Sequence, residues 1–429
     1  EPDSPTQAAD YAQLQTACHA RGSDSSWDVV KSSLQAAHTQ QPAPLFVTVS
    51  GDLLTHNFDC RLKTLDPTAT AESVSQFAMK TLGFLSLQMR EIFHDVPVYV
   101  ALGNNDSGCS NYHQTPGSAF LHGVDESVAA NFTKPEDRNR AVKAFSDRGD
   151  YSVLLPKSMH RTRLVVLQDV FESPSYRRCE GKPDDKAAVA QIDWLREQLV
   201  SAKRDHQHVW VMAHISPGVD TYASFHKFTG SPEKLCTVTE PVMLLNSDAL
   251  ARTLTDFAGT VTLAIFAHTH MDEIKLLHNA EGASVAAKLV PSVSPINGNV
   301  PAFLVAEVQP TTAVMLDYAV FAASDATASS WSEEYRYSNA YRMPDFSADS
   351  VAQIASRFSK DKSGNDDLSM TYRRWFFAGD DGKFAQGLKT VWPAYACAVG
   401  EDGGPVFQEC LCGAGAGTAA KPAAPVPSK

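Results

Sequence analysis

Four short polar clusters in the sequence contain side chains that bind divalent metal ions. The clusters are Gly51-Asp52, Gly103-Asn104-Asn105-Asp106, Ala213-His214 and Ala267-His268-Thr269-His270. Together they offer a carboxylate, an amide oxygen and three imidazoles, a mixed nitrogen and oxygen set that suits Zn, Mn or Fe. The two histidines of the last cluster can point at different ions, and one carboxylate can bridge two ions because its oxygens are separately available. The set therefore predicts a centre for two divalent metal ions.

Each cluster alone also has an ordinary structural explanation. An aspartate after a strand is commonly a turn or helix-capping residue. An isolated histidine such as His214 is commonly a hydrogen-bonded structural residue, and for the His268 and His270 pair the structural and ligand interpretations are even. The joint occurrence of four clusters in this order, each after the pattern of a buried strand, favours the metal centre.

The apolar runs that precede the clusters predict the strands that position them. These runs are Leu45–Val49, Val98–Leu102, Val209–Ala213 and Leu263–Ala267. They are short and rich in β-branched residues, which is typical of strands buried on both faces. Helical spacing predicts helices over residues 25–39, 73–93, 187–199 and 348–359. Strands that alternate with helices predict an α/β layered sheet, in which the loops after the strands carry ligands.

The composition predicts a globular, exported chain. Of 429 residues, 43% are hydrophobic and 20% charged, enough to bury a large core, and the net charge of −12 excludes a global basic field for nucleic acid or an anionic membrane. No apolar run approaches the roughly 18–20 residues that cross a bilayer. Eight cysteines without a CxxC pair favour disulfides and an oxidising compartment over buried free thiols. Because the chain opens with Glu1 and not Met, we expect that a segment such as a secretory signal was removed, in a secreted or periplasmic protein.

The order of the four clusters resembles that of the calcineurin-like metallophosphoesterases. Further stretches are similar to the acid sphingomyelinase-like branch of that superfamily, namely residues 191–195, 267–272, 291–295, 297–299 and 301–303. The resemblance covers roughly residues 18–320. It implies a layered β-sandwich flanked by helices, and metal-dependent hydrolysis of phosphodiester or nucleotide-type phosphoester bonds by a metal-activated water.

The sequence pattern also predicts how the chain is divided, and together with the charge and the resemblance it limits the expected partners. We expect a catalytic domain over residues 1–320, a C-terminal subdomain over 321–412, where aromatic and polar segments replace the strand pattern, and a disordered tail over 413–429. The expected partner is a small soluble phosphoester rather than a nucleic acid polymer. We expect a monomer without stable membrane insertion.

Carried over by position, the resemblance assigns a role to each site residue. Asp52 is the expected bridging ligand. The other expected ligands are Asn104, His214 and His268 for one ion and His270 for the other. The ions are expected to be Zn, with Mn or Fe as alternatives. His56 matches a family histidine near the substrate phosphate and is the candidate general acid; the alternative is a histidine that only hydrogen-bonds a ligand.

Two departures from the family pattern leave alternatives open. The family usually opens with an Asp-x-His pair on its first strand, and no such pair occurs in this chain; we expect it upstream of Glu1. Asn105 stands where many relatives have a catalytic histidine, and an amide cannot donate a titratable proton near neutral pH. These departures motivate one alternative, a catalytically silent metal-binding protein that acts through its surface. Another is a phosphomonoesterase.

Overall fold

The computed structural model describes residues 7–19, 22–132, 134–227, 236, 240–379 and 382–413. In chain order, helices α1 to α14 are Gln7–Ala17, Trp27–Gln40, Phe58–Leu65, Ala71–Phe93, Ala119–Ala129, Pro135–Arg148, Asp185–Arg204, Thr221–Lys227, Ala249–Asp256, Tyr337–Tyr341, Ala348–Lys360, Asp367–Trp375, Lys383–Gly400 and Gly404–Cys412. Strands β1 to β11 are Val47–Val49, Val98–Val100, Tyr151–Leu154, Thr162–Val166, His208–Met212, Val261–Phe266, Glu273–His278, Ser284–Leu289, Ala302–Gln309, Val314–Ala323 and Trp331–Arg336. Single 3₁₀ turns lie at Lys157–Met159 and Asp169–Glu172.

The strands form three sheets. The largest has the order β3-β4-β5-β6-β8-β7, with β4, β5, β6 and β8 parallel and the edge strands β3 and β7 antiparallel to their neighbours. Strands β1 and β2 form a parallel pair, and β9, β10 and β11 form an antiparallel sheet. The loops after the parallel strands β5 and β6 therefore meet at one edge of the large sheet.

Alternating side chains of the large sheet face two apolar layers. In β5, Trp210 and Met212 face a cluster shared with β2 and β10, whereas Val209 and Val211 face the layer that contains Leu195 of α7. This period of two is what a strand buried on both faces requires. The predicted α/β fold, a layered sandwich flanked by helices, is confirmed.

The predicted elements that position the four clusters are present with small shifts at their ends. Helix α4 begins with a capping box, in which Thr70 and Ser73 each accept a hydrogen bond from the other's backbone N–H. Val74, Ala78 and Leu82 then recur at the spacing of one buried helix face. Helix α1 was not predicted, because residues 7–17 contain too few apolar residues to show such a face.

The C-terminal helices pack on the same core as the sandwich. Phe358 of α11 and Trp392 of α13 belong to the apolar cluster that contains Val100 of β2. The expected boundary at residue 320 lies inside β10, which pairs with strands on both sides. The division into a catalytic domain and a C-terminal subdomain stays a prediction, and the expected tail lies outside the described residues apart from Gly413.

All eight cysteines form disulfides, as predicted. The pairs are Cys18–Cys60, Cys109–Cys179, Cys236–Cys412 and Cys397–Cys410. Four disulfides are typical of an extracellular or lumenal protein, because cytosolic thiols are kept reduced. Among the described helices, none combines the length and the apolar character that a bilayer span needs.

The buried carboxylate of Asp150, directly before β3, binds the segment after β4 and helix α7. Asp150 Oδ1 accepts hydrogen bonds from Gln168 N (3.1 Å) and Gln191 Nε2 (2.6 Å), and Oδ2 accepts from Arg148 Nε (3.0 Å). Burial raises the pKa of Asp150 to about 6. The folded protein therefore holds a proton at pH 5 that the unfolded chain, with an aspartate pKa of about 4, has lost.

We expect Asp150→Asn to remove part of the pH dependence of stability. In the wild type, protonated Asp150 adds to the free energy of unfolding. This stabilisation is fully present below about pH 4 and is lost as pH rises through about 6, a loss of about 3 kcal/mol. The variant does not titrate there, so its unfolding free energy should fall by about 3 kcal/mol less than that of the wild type between pH 4 and pH 7. Urea denaturation of metal-free protein at both pH values measures this, with the exposed Asp147→Asn as control. Equal falls in wild type and Asp150→Asn would contradict the assignment.

Candidate metal centre

The loops after β1 and β2 approach each other at two glycines. Gly51 has φ +95°, and a Cβ there would lie 2.6 Å from Gly103 N. A Cβ on Gly103 would overlap the Asp52 carboxylate. The glycines of the first two clusters are therefore needed because no side chain fits at either position.

Asp52 lies at the centre of the site and is bonded through both of its oxygens. Asn105 donates from its backbone N–H to Oδ1 and from Nδ2 to Oδ2, both at 2.8 Å, and His214 Nε2 lies 3.2 Å from Oδ2. Burial raises the pKa of Asp52, but the charge and hydrogen bond of His214 and the Asn105 N–H outweigh it and hold the pKa well below its usual range. The carboxylate therefore stays ionised and can bind cations.

His214 directs Nε2 toward Asp52, and Asn104 directs its side-chain oxygen toward the same nitrogen. His214 Nδ1 donates to Ser50 O at 2.7 Å, and since a carbonyl oxygen only accepts, Nε2 is the nitrogen with a free lone pair when the ring is neutral. Nε2 lies 3.1 Å from Asn104 Oδ1. The Asn104 amide nitrogen donates to Asn111 Oδ1 at 2.8 Å, which leaves its oxygen facing His214. Such outer hydrogen bonds are what orient metal ligands in proteins.

His268 and His270 follow β6 and complete two groups that could hold ions. The first group is Asp52, His214 and His268, and the second is Asp52, His56 and His270; within each group the donor atoms all lie within 4.8 Å of one another. Asp52 belongs to both groups. Within the part of the chain that the structure describes, the buried His270 Nδ1 has no hydrogen-bond partner. A buried nitrogen without a hydrogen-bond partner in such a group fits the role of a metal ligand.

Three residues of these groups have a left-handed backbone. The φ values are 57° for Asp52 and 69° for both His268 and His270. For residues other than glycine this region costs on the order of 1–3 kcal/mol each, and such strain concentrates at functional sites. The fold therefore holds these side chains in place at the expense of stability.

The histidines of the two groups have strongly displaced pKa values. Burial and the charge of His214 lower the pKa of His268 to about 3, and burial lowers that of His270 to about 4. Both rings are therefore neutral at pH 7, as metal ligation requires. Burial opposes ionisation of His214 as well, but the Asp52 carboxylate raises its pKa to about 9, so without an ion His214 carries the proton.

His56 lies beside His270 and is held by a residue that the sequence did not single out. The centroids of the two rings are 5.6 Å apart, and His56 Nδ1 is 2.8 Å from Asp24 Oδ1. The buried Asp24 also accepts from Arg61 Nη2 at 3.2 Å and from Thr55 Oγ1 at 2.5 Å. Burial lowers the pKa of His56, but the hydrogen bond and charge of Asp24 outweigh it and raise the pKa above its usual value. The position suits an ion ligand as well as a proton donor.

Two more buried carboxylates that the sequence did not assign hold the site loops. Asp106 accepts from Leu54 N and Gly103 N, both at 2.8 Å, and so joins the loops after β1 and β2. Asp169 accepts from Ile215 N at 2.9 Å and from His214 N at 3.2 Å. Burial raises the pKa of each to about 7. Asp106 sits in a predicted cluster, but nothing local marks Asp24 or Asp169.

The expected site residues therefore lie together. Asp52, His214 and His268 form one donor group, with Asn104 Oδ1 beside His214, and Asp52, His56 and His270 form the other. Asn105 is turned onto Asp52, and its buried Oδ1 has no partner among the described residues. The donor set of oxygens and imidazoles fits two divalent ions.

Comparison with known proteins identifies relatives by sequence. No protein-family model matches the chain. Acid sphingomyelinase-like phosphodiesterase 3b of Homo sapiens is 26% identical over 360 residues, which covers 79% of this chain and 71% of the relative. Cyclic GMP-AMP phosphodiesterase of Mus musculus is 20% identical over 347 residues, covering 78% and 72%. A solved dimetal phosphatase from Danio rerio aligns with a TM-score of 0.37 and 13% identity over 68% of this chain and 82% of that one.

Both sequence relatives align over more than two thirds of each chain. These alignments confirm the resemblance to the acid sphingomyelinase-like branch that the motifs indicated. The chain is a homologue of the acid sphingomyelinase-like phosphodiesterases.

Proposed function

We propose that the chain hydrolyses a phosphodiester bond at two divalent metal ions that share Asp52. The observation that carries this proposal is the position of one ionised carboxylate in two donor groups at once. Bound there, the ions would supply positive charge for the phosphate oxygens and lower the pKa of a water nucleophile. The relatives' names, which describe phosphodiesterases, support the same reaction class.

The contacts among the proposed metal ligands suggest which ion each of them would hold. Asn104, His214 and His268 would hold one ion with Asp52, and His270 the other. Three imidazoles favour Zn, and Mn or Fe are the alternatives. Asn105 has no titratable proton, and its two hydrogen bonds to Asp52 suit it to fixing the carboxylate.

His56 would act as general acid. Its Nδ1 is taken by Asp24, so Nε2 is the nitrogen left to face the reacting group. When the phosphorus–oxygen bond to the leaving group breaks, the imidazolium would give its proton to the leaving oxygen. Asp24 favours the protonated ring and thereby keeps the acid form present nearer to neutral pH.

The substrate proposed is a small, soluble phosphodiester or nucleotide. The net charge of −12 gives no general attraction for a nucleic acid polymer, so binding must depend on the local charge of the ions. One relative is a cyclic GMP-AMP phosphodiesterase by name, which supports a nucleotide-type substrate. The four disulfides support a secreted or periplasmic location. We expect the protein to act as a monomer.

Hydrolysis of bis-p-nitrophenyl phosphate tests the proposal. We expect chelator-treated protein to be inactive and Zn or Mn to restore the rate. Asp52→Asn should lower kcat/KM by more than the roughly 100-fold that loss of an outer-shell partner costs, because both ions lose a ligand. His122→Ala, an exposed change on α5, is the matched control. Bound ions without hydrolysis of diesters or monoesters would contradict the proposal and favour the catalytically silent alternative.

The pH profile tests the role of His56. We expect the rate to fall as pH rises through the raised pKa of His56, since only the protonated ring donates. Asp24→Asn removes the charge that raises this pKa, so the falling limb should move to lower pH. Profiles of kcat/KM from pH 4 to 9 for the wild type, Asp24→Asn and the control Asp59→Asn measure the shift. An unmoved limb in Asp24→Asn, or a wild-type rate that rises to pH 9, would refute the role.

A further inference from the structure

Tyr112 lies beside the metal centre, on the loop that follows Asn104 and Asn105. Its backbone N–H donates to Asn104 O at 2.9 Å, and its carbonyl accepts from Arg177 N at 3.1 Å. The disulfide between Cys109 and Cys179 fastens the same loop three residues earlier. Tyr112 has φ +58°, a left-handed conformation that a bulky residue adopts only when its surroundings require it. The loop is therefore built to hold this residue in one place.

The ring is anchored on one side and its hydroxyl reaches the centre on the other. The ring packs against the apolar cluster of Val170, Phe171, Tyr176 and Ala187. The hydroxyl oxygen lies 3.3 Å from His268 Nε2, with the two rings nearly perpendicular at 84° and their centroids 6.2 Å apart.

The two histidines of the first donor group are held through opposite ring nitrogens. His214 is fixed at Nδ1 by Ser50 O, and its Nε2 faces Asp52 and Asn104. His268 has its hydrogen bond at Nε2. A neutral imidazole has one N–H and one lone pair, so the nitrogen that donates a hydrogen bond cannot also bind an ion.

We propose that Tyr112 is a positioning residue for the metal ligand His268. Its hydroxyl oxygen accepts a hydrogen bond from Nε2–H, which fixes the tautomer of the ring and leaves Nδ1 as the nitrogen that binds the ion. His214 then ligates through Nε2 and His268 through Nδ1. The inference deepens the proposed function and rests on the metal centre that it requires.

Metal affinity of Tyr112→Phe tests the inference without a substrate. The change removes only the hydroxyl oxygen, so we expect a roughly 10- to 100-fold weaker affinity for Zn, measured by competition with a chelator. Tyr176→Phe is the matched control, because the Tyr176 hydroxyl donates to Gln114 O at 3.0 Å, away from the centre. The control should keep wild-type affinity. Hydrolysis by Tyr112→Phe should recover at saturating Zn with an unchanged KM.

An unchanged affinity in Tyr112→Phe would overturn the inference. So would a raised KM with unchanged affinity, because the hydroxyl would then contact the substrate. Nitrogen-15 NMR of the histidines in the Zn-loaded wild type needs no variant: His268 in the Nε2–H tautomer supports the proposal, and the Nδ1–H tautomer overturns it. Because Zn affinity and tautomer are measured without turnover, a protein that binds Zn but hydrolyses nothing would refute the proposed function alone.

Discussion

The site depends on the hydrogen bonds and charge that keep the Asp52 carboxylate ionised between two strand-end loops. Asn105 donates a hydrogen bond to each carboxylate oxygen, and His214 Nε2 lies 3.2 Å from Oδ2. Two glycines, Gly51 and Gly103, allow the loops to approach closely enough for these contacts. Without that approach the histidines that follow β5 and β6 would have no shared anionic partner.

The scaffold offsets the strain of this arrangement with buried polar contacts. Left-handed backbone at three candidate ligands costs on the order of 1–3 kcal/mol each. Asp106 bonds two of the loops together, Asp169 caps the loop of His214, and the disulfide between Cys109 and Cys179 closes the loop of Asn104. The ligands are thus fixed by the protein itself, which is what a site needs to bind ions without reorganising.

Local patterns were sufficient to predict the four strands that precede the polar clusters, β1, β2, β5 and β6, and the residues directly after them. A strand followed by Gly-Asp or His-x-His is visible within ten residues, and within each sheet the parallel strands bring such loops to one edge. Asp24 was not predictable, because it contacts His56 32 residues away and no periodicity relates the two. The contact of Tyr112 with His268, 156 residues away, was hidden for the same reason. Helix α1 lacks an apolar face, so only its packing shows it.

The most direct test of the account is an anomalous difference map from crystals of the Zn-loaded protein. Two peaks are expected, both bonded to the Asp52 carboxylate, with Asn104, His214 and His268 around one and His270 beside the other. Peaks elsewhere, or density that leaves Asp52 bonded only to protein groups, would contradict it.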